Sequence, residues 1–184
     1  AHLTAVSVKI GNVEYNLRGN LYDCRDNSFN LIAFDRKSTV PYTAAQFEWY
    51  NRAGRNCGRL PWVINNYRYD QMVTGAYGDL IYYVDNVPVG DSVLMYSIGN
   101  ARYSLWPAAA KSKLGELGVS AAQLNALQDG EPVIIYGRKG IAPGTAKFYT
   151  TTELPKNMAV LDTSVTVTGR YSSGSMNSGL IGPA

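Results

Sequence analysis

The chain has 184 residues, of which 46% are hydrophobic and 17% charged, and its mean hydropathy is −0.16. These values indicate one domain, or at most two small ones, with a hydrophobic core, and they exclude a disordered chain or a charged coiled coil. The net charge of +3 is too small to indicate nucleic-acid binding by itself, and no apolar run approaches the ~20 residues of a membrane-spanning helix.

The first third of the chain is predicted to form β-strands. Apolar and polar residues alternate on both sides of Gly11-Asn12, a pair typical of a hairpin turn. The predicted strands of this part are residues 6–10, 13–17, 29–34 and 42–50. Residues 51–78 mix arginine, aromatic, glycine and proline residues, and we predict a long structured loop there.

The middle of the chain alternates helices and strands. An apolar stripe predicts a helix over residues 77–87, and Pro107 lies in the first turn of a second helix predicted to begin near Ser104 and end at Gly118. Ser120 is predicted to cap a short helical turn. The remaining predicted strands are residues 92–98, 133–136, 146–152 and 164–171.

This order of elements predicts an α+β fold, with a mostly antiparallel β-sheet or sandwich and two to three short helices. We assign residues 1–152 to one β/α domain. Residues 153–184 are assigned to a flanking strand and a linker towards a following domain. The chain is accordingly expected to be a piece of a longer protein.

Histidine is scarce, with His2 the single one in the chain. A serine or cysteine hydrolase needs an imidazole beside its nucleophile, and no G-x-S-x-G turn is present, so neither chemistry is expected. The segment 137–140 (GRKG) lacks the phosphate-loop spacing, and a basic turn explains it better. We therefore expect a non-enzyme that needs no cofactor.

The two cysteines, Cys24 and Cys57, have neither the spacing nor the histidine companions of a zinc site, so no metal site is expected. They either form one disulfide or remain two buried thiols. A disulfide would close a loop of about 34 residues and would contribute roughly 3–4 kcal/mol by loop entropy.

Residues 47–69 combine aromatic and arginine side chains more densely than the rest of the chain. Aromatic faces stack on sugar rings, and arginines donate forked hydrogen bonds to hydroxyl groups. The candidate ligand-binding residues are Trp49, Trp62, Tyr67 and Arg68. Alternatively, the two tryptophans anchor the core and the arginines are solvated. Nucleic acid is not expected as a partner, because the net charge is modest.

The order of the predicted elements resembles the interleukin-like EMT inducer domain, which also occurs in the stem of protein O-mannose N-acetylglucosaminyltransferase. Five ordered features carry the resemblance: a strand ending in Asp, a helix closing on Pro-x-Gly, a buried strand, a helix ending in Leu-Gly, and a strand followed by Gly-x-Lys-Gly. They are residues 29–35, 80–90, 93–98, 114–118 and 133–140. The chain is more similar to the bacterial form found in surface proteins of type IX secretion and gliding systems and in sortase-like proteins.

The resemblance implies a non-catalytic module that binds carbohydrate in the transferase stem and acts through protein contacts in the secreted cytokines. The stem's sugar pocket uses an acid just after the central strand and an arginine before the last one. In this chain those places hold residues 98–100 (IGN) and 129–131 (DGE).

We therefore expect a secreted or cell-surface module that binds a glycan or a protein surface, with adjacent domains of a parent chain as neighbours. The alternative to a binding module is a purely structural domain that serves as a spacer or docking domain in the parent chain. A glycoside hydrolase with an unrecognised carboxylate pair is the third, since its two acids need no fixed spacing.

Overall fold

Two β-sheets and several short helices make up the described part of the chain. The computed structural model describes residues 5–10, 13–18, 27–38, 41–42, 56–57, 64–73, 77–151 and 163–166. The strands are β1 Ala5–Ile10, β2 Val13–Arg18, β3 Ser28–Phe34, β4 Asn56–Cys57, β5 Ile64–Arg68, β6 Ser92–Ile98, β7 Val133–Arg138, β8 Lys147–Thr150 and β9 Thr163–Thr166. The helices are α1 Tyr69–Val73, α2 Tyr77–Asn86, α3 Ala108–Lys113 and α4 Ala121–Ala126, with 3-10 turns at Tyr103–Leu105 and Leu114–Leu117. The predicted α+β class is confirmed.

The first sheet has the strand order β2-β1-β9. β1 and β2 pair antiparallel with Ile10 opposite Val13, so two residues connect them, as the Gly11-Asn12 pattern predicts. β9 pairs parallel to β1, with Thr163 opposite Val6. The segment 153–184, which was predicted as a flanking strand and linker, therefore contributes β9 to the first sheet.

The second sheet is antiparallel throughout, in the order β4-β5-β3-β6-β7-β8. Its central strands β3 and β6 run the full length of each other, from Ser28 opposite Ile98 to Phe34 opposite Ser92. Every residue of both strands is buried. This explains why they are mostly apolar along their length rather than alternating between apolar and polar residues.

The predicted loop over residues 51–78 is wrong in part, because β4, β5, α1 and the start of α2 lie within it. β5 contains two consecutive asparagines, which conceal a strand from a hydrophobic pattern. In the fold, the Asn66 amide donates to Asn30 Oδ1 at 2.7 Å and to Ser28 Oγ at 2.8 Å on the neighbouring β3. The strand predicted at 42–50 lies, beyond Tyr42, outside the described residues.

The helices follow the predicted stripes with one difference. The helix predicted from Ser104 to Gly118 is divided, because Pro107 holds the preceding Trp106 in an extended conformation (ψ 133°) between the first 3-10 turn and α3. Gly118, at φ 89°, ends the second 3-10 turn. Ser120 caps α4 in a reciprocal capping box with Gln123.

The hydrophobic core lies between one face of the second sheet and the helices. Phe29 of β3 contacts the Trp106 ring edge-on, with 5.0 Å between ring centroids, and the Trp106 indole donates to the Ala101 carbonyl at 2.8 Å. α2 contributes Leu80, Tyr83 and Val84 to the same core, all at most 2% exposed. Within the described ranges no helix has the length and hydrophobicity needed to cross a bilayer.

A charged network joins the end of β7 to the helices. Lys139 is only 9% exposed, and its ammonium donates to the Val84 carbonyl of α2 at 2.6 Å and to the Glu116 carboxylate. Glu116 also accepts from Lys113 at 2.6 Å, and Lys113 pairs with Asp85. The lysine of the Gly-Arg-Lys-Gly segment is therefore a buried structural cation that ties the sheet to α2.

Glu116 makes the fold sensitive to acid. Hydrogen bonds from Lys113 and then Lys139 hold the pKa of the Glu116 carboxyl below its ordinary value of 4.5. A lowered folded-state pKa contributes stability that is present above the ordinary pKa and is lost as the pH falls through the folded-state value. We expect Glu116→Gln to lower the free energy of unfolding at pH 7 by no more than about 1 kcal/mol, because the Glu116 side chain is 44% exposed.

Urea unfolding at neutral pH and at a series of lower pH values measures this contribution. The difference in unfolding free energy between the native protein and Glu116→Gln is expected to close as the pH falls through the lowered pKa of the folded state. An equal difference at every pH value would show that the charge of Glu116 contributes nothing.

Candidate functional site

The predicted ligand-binding residues do not share one surface in the described part of the chain. Trp49 and Trp62 lie outside the described residues. Tyr67 is 1% exposed and belongs to the hydrophobic core, with its hydroxyl donating to the Asp79 carbonyl at 3.3 Å. Its ring therefore faces the interior, where it cannot stack on a sugar. Arg68 is partly exposed and forms an ion pair with Asp70 at 3.3 Å.

The predicted disulfide also falls partly on residues that are not described. Cys57 belongs to β4, and Cys24 lies outside the described ranges. The pairing of the two cysteines stays a prediction.

Arg68 belongs to a polar surface at one end of the second sheet. There β3 begins while β5 and β6 end, because Ser28 pairs with both Arg68 and Ile98. The residues just beyond these positions consequently lie side by side. We call this the strand-end surface, and it comprises Asn27, Arg68, Tyr69, Asp70, Asn100 and Arg102.

Asn27 fixes the connections at this surface. It adopts a left-handed conformation (φ 56°), its side-chain oxygen accepts from the Asn100 amide at 2.9 Å, and its carbonyl accepts from the Tyr69 amide at 3.0 Å. Gly99 is also left-handed (φ 61°), and a Cβ there would lie 2.9 Å from Asn27 Oδ1. One asparagine thus holds the segments that follow β5 and β6 in register with each other.

Arg102 is an exposed residue held in a strained backbone conformation. Its φ and ψ of 48° and 58° are left-handed, which costs an arginine roughly 1–2 kcal/mol. The Arg102 amide donates to Asn100 Oδ1 at 2.9 Å, and the guanidinium lies 4.3 Å from the centroid of the Tyr69 ring. The cation–π contact and the hydrogen bond offset the strain and fix the position of the guanidinium.

The strand-end surface therefore presents two guanidinium groups, one carboxylate, two side-chain amides and one aromatic ring in a fixed arrangement. Planar groups of this kind hydrogen-bond the hydroxyl groups of a ligand in pairs. Asp70 is the one carboxylate among these six residues, and it is paired with Arg68. In the described part of the chain, no three His, Cys, Asp or Glu side chains are grouped as a metal site would require.

Five of the six residues of this surface, all except Arg68, were not predicted as ligand-binding from the sequence. Tyr69 ends the aromatic and arginine-rich segment 47–69, so a signal for it was present. Asn100 occupies the place after the central strand where the resembling family has an acid. Arg102 carries no local signal, because an arginine has no sequence pattern that indicates a left-handed backbone.

The chain matches no known family model and no curated protein.

Proposed function

We propose that the chain is a non-catalytic binding module that recognises a glycan through its strand-end surface. The observation that carries the proposal is Arg102, which is exposed, strained and held above Tyr69 beside the Arg68–Asp70 ion pair. Strained residues that a fold retains at a surface are concentrated at functional sites.

The chemistry of the surface suits a sugar. Guanidinium, carboxylate and amide groups supply both donors and acceptors at fixed positions, which is what a set of neighbouring hydroxyl groups requires. Asn100 lies just after β6 and joins Asn27 to Arg102. The stem module of the resembling family has an acid of its sugar pocket at this place, so a glycan would here contact an amide and would not occupy that family's pocket.

The proposal includes the setting of the module. We infer that it forms part of a secreted or cell-surface bacterial protein and lies next to other domains of that protein. In such a setting, a pre-organised surface at a strand end gives a glycan contact at small entropic cost to the protein.

Arg102→Gly tests the site without threatening the fold. Glycine adopts φ 48° without a Cβ penalty, so we expect the free energy of unfolding to be unchanged or to increase by up to about 1 kcal/mol. The same substitution removes the guanidinium, and we expect glycan affinity to fall at least about tenfold. Thermal unfolding measures the first effect, and calorimetric titration with glycans selected on an array measures the second.

Lys37→Gln is the matched control, because Lys37 is an exposed cation on the turn that follows β3 at the other end of that strand. It should leave both measurements unchanged. If the native protein bound no glycan on a broad array, the proposed function would be overturned and the structural spacer would be favoured. Equal affinity of Arg102→Gly and the native protein would move glycan binding away from the strand-end surface.

A further inference from the structure

A second surface that carries cationic and aromatic side chains lies at the opposite end of the second sheet. It is an open groove of about 200 Å³, lined by Tyr136, Gly137, Arg138, Ile141, Thr145 and Lys147. We call it the β7–β8 groove. Arg138 pairs with Ser92, the first residue of β6, whereas the strand-end surface adjoins the last one, Ile98. At ~3.3 Å per residue, the two surfaces are roughly 20 Å apart along β6.

Strand register brings two cations together in this groove. Tyr136 lies directly opposite Lys147 in the β7–β8 pair, and Arg138 lies two residues further along β7, on the same face as Tyr136. Directly opposite Cβ atoms are about 5 Å apart, and diagonal neighbours about 7–8 Å. The long side chains of Arg138 and Lys147 can therefore reach one ligand group from two sides.

The other buried or partly buried cations near the helices are occupied. Lys113 and Lys139 pair with Glu116, and Arg68 pairs with Asp70. Among the residues that the structure describes, neither Arg138 nor Lys147 forms an ion pair with a carboxylate. Arg138 is partly exposed and lines the groove.

The neutral lining of the groove limits what can bind. The Tyr136 hydroxyl is hydrogen-bonded to Ser92 Oγ at 2.9 Å, and the Thr145 hydroxyl donates to the Ala142 carbonyl at 2.6 Å. Tyr136 and the partly exposed Ile141 both line the groove. The groove thus offers an aromatic and aliphatic floor next to two positive charges.

We propose that the β7–β8 groove binds the carboxylate of an acidic sugar residue. The guanidinium fork of Arg138 matches a carboxylate, Lys147 adds a second charge, and Tyr136 with Ile141 contacts the C–H face of the ring. Two cations suit a single carboxylate, whereas a polyphosphate backbone requires a longer basic track. This inference rests on the proposed function for its ligand class, and it identifies that class as acidic glycans.

The test uses two acidic probes and their neutral counterparts. Oligogalacturonate and sialyllactose are each titrated beside their methyl esters, which keep the rings and lose the charge. We expect the acids to bind at least about tenfold more tightly than the esters at low salt, and the difference to shrink as salt is added. The double variant Arg138→Gln, Lys147→Gln should abolish that difference and leave thermal stability unchanged.

Controls separate this inference from the proposed function. Arg102→Gly should leave the salt-sensitive binding of the acids in the groove unchanged, because Arg102 lies on the other surface, and Lys37→Gln should change binding at neither surface. Equal affinity for acids and esters would overturn the groove proposal and leave the strand-end proposal standing. Tighter binding of an oligoglutamate peptide than of both acidic sugars would overturn the sugar assignment. No binding of any probe would overturn the groove proposal, while the glycan array decides the proposed function independently.

Discussion

Replacing Gly137 with alanine is expected to destabilise the protein by about 4 kcal/mol, the largest effect that an added methyl group should have at any glycine in the described part of the chain. A Cβ at this position would overlap the carbonyl oxygen of Leu117 and lie 3.2 Å from Met95 Cε. The oxygen belongs to the backbone of a buried 3-10 turn, so no change of rotamer can relieve the overlap. β7 and the turn would have to separate.

Gly78→Ala is the matched control for this substitution. Gly78 lies in the first turn of α2, and an added Cβ there meets nothing within 4 Å. We expect it to be neutral or to raise the free energy of unfolding by up to about 1 kcal/mol, because alanine favours a helix over glycine. Urea unfolding compares the two, and a cost below about 1 kcal/mol for Gly137→Ala would show that β7 and the 3-10 turn are not closely packed.

The central strands of the fold are predictable because burial on both faces leaves a direct mark on the sequence. β3 and β6 are mostly apolar and buried throughout, β7 begins with an apolar run, and the helices between them carry stripes whose buried residues face one core. The hairpin of β1 and β2 was predictable from its turn residues for an equally local reason.

β5 was missed because Asn66, one of its two asparagines, is hydrogen-bonded to a distant part of the chain. Asn66 hydrogen-bonds Asn30 and Ser28, which lie 36 and 38 residues away in the sequence. Local polarity indicates a loop, and only the completed sheet reveals that the buried Asn66 amide bonds two polar side chains of β3.

The same limit applies to the strand-end surface. Arg68 was predicted as a binding residue from local composition, whereas the contact between Arg102 and Tyr69 depends on the ends of β5 and β6 meeting across β3. Tyr67 was predicted for the surface from the same composition, yet it lies in the core between the buried Asn66 and the partly exposed Arg68. Composition identifies the segment, and the pleat decides which residue faces outward.

The Gly-Arg-Lys-Gly segment shows how one motif can serve two purposes. Its two cations lie next to each other in sequence and have different surroundings: Arg138 lines the β7–β8 groove, while Lys139 is buried against α2. A basic turn, as predicted from the sequence, would leave both solvated. The lysine should therefore matter for stability and the arginine for binding.

Lys139→Met is accordingly expected to lower the free energy of unfolding by about 3 kcal/mol. Methionine keeps the apolar stem and removes the ammonium, so the Val84 carbonyl and the Glu116 carboxylate lose the same donor. Lys37→Met makes the same change on an exposed turn and should stay within about 0.5 kcal/mol of the native protein. Urea unfolding at neutral pH measures both.

A double variant separates the two partners of Lys139. In the Glu116→Gln background, the loss of unfolding free energy caused by Lys139→Met should be smaller by about 1 kcal/mol, because the carboxylate that the ammonium pairs with is already absent. Most of the loss should remain, because the buried Val84 carbonyl still loses its donor. If Lys139→Met were as mild as Lys37→Met, the ammonium would not be bonding α2. If the double variant were simply additive, Lys139 would stabilise the fold through Val84 alone, and the ion pair with Glu116 would contribute nothing measurable.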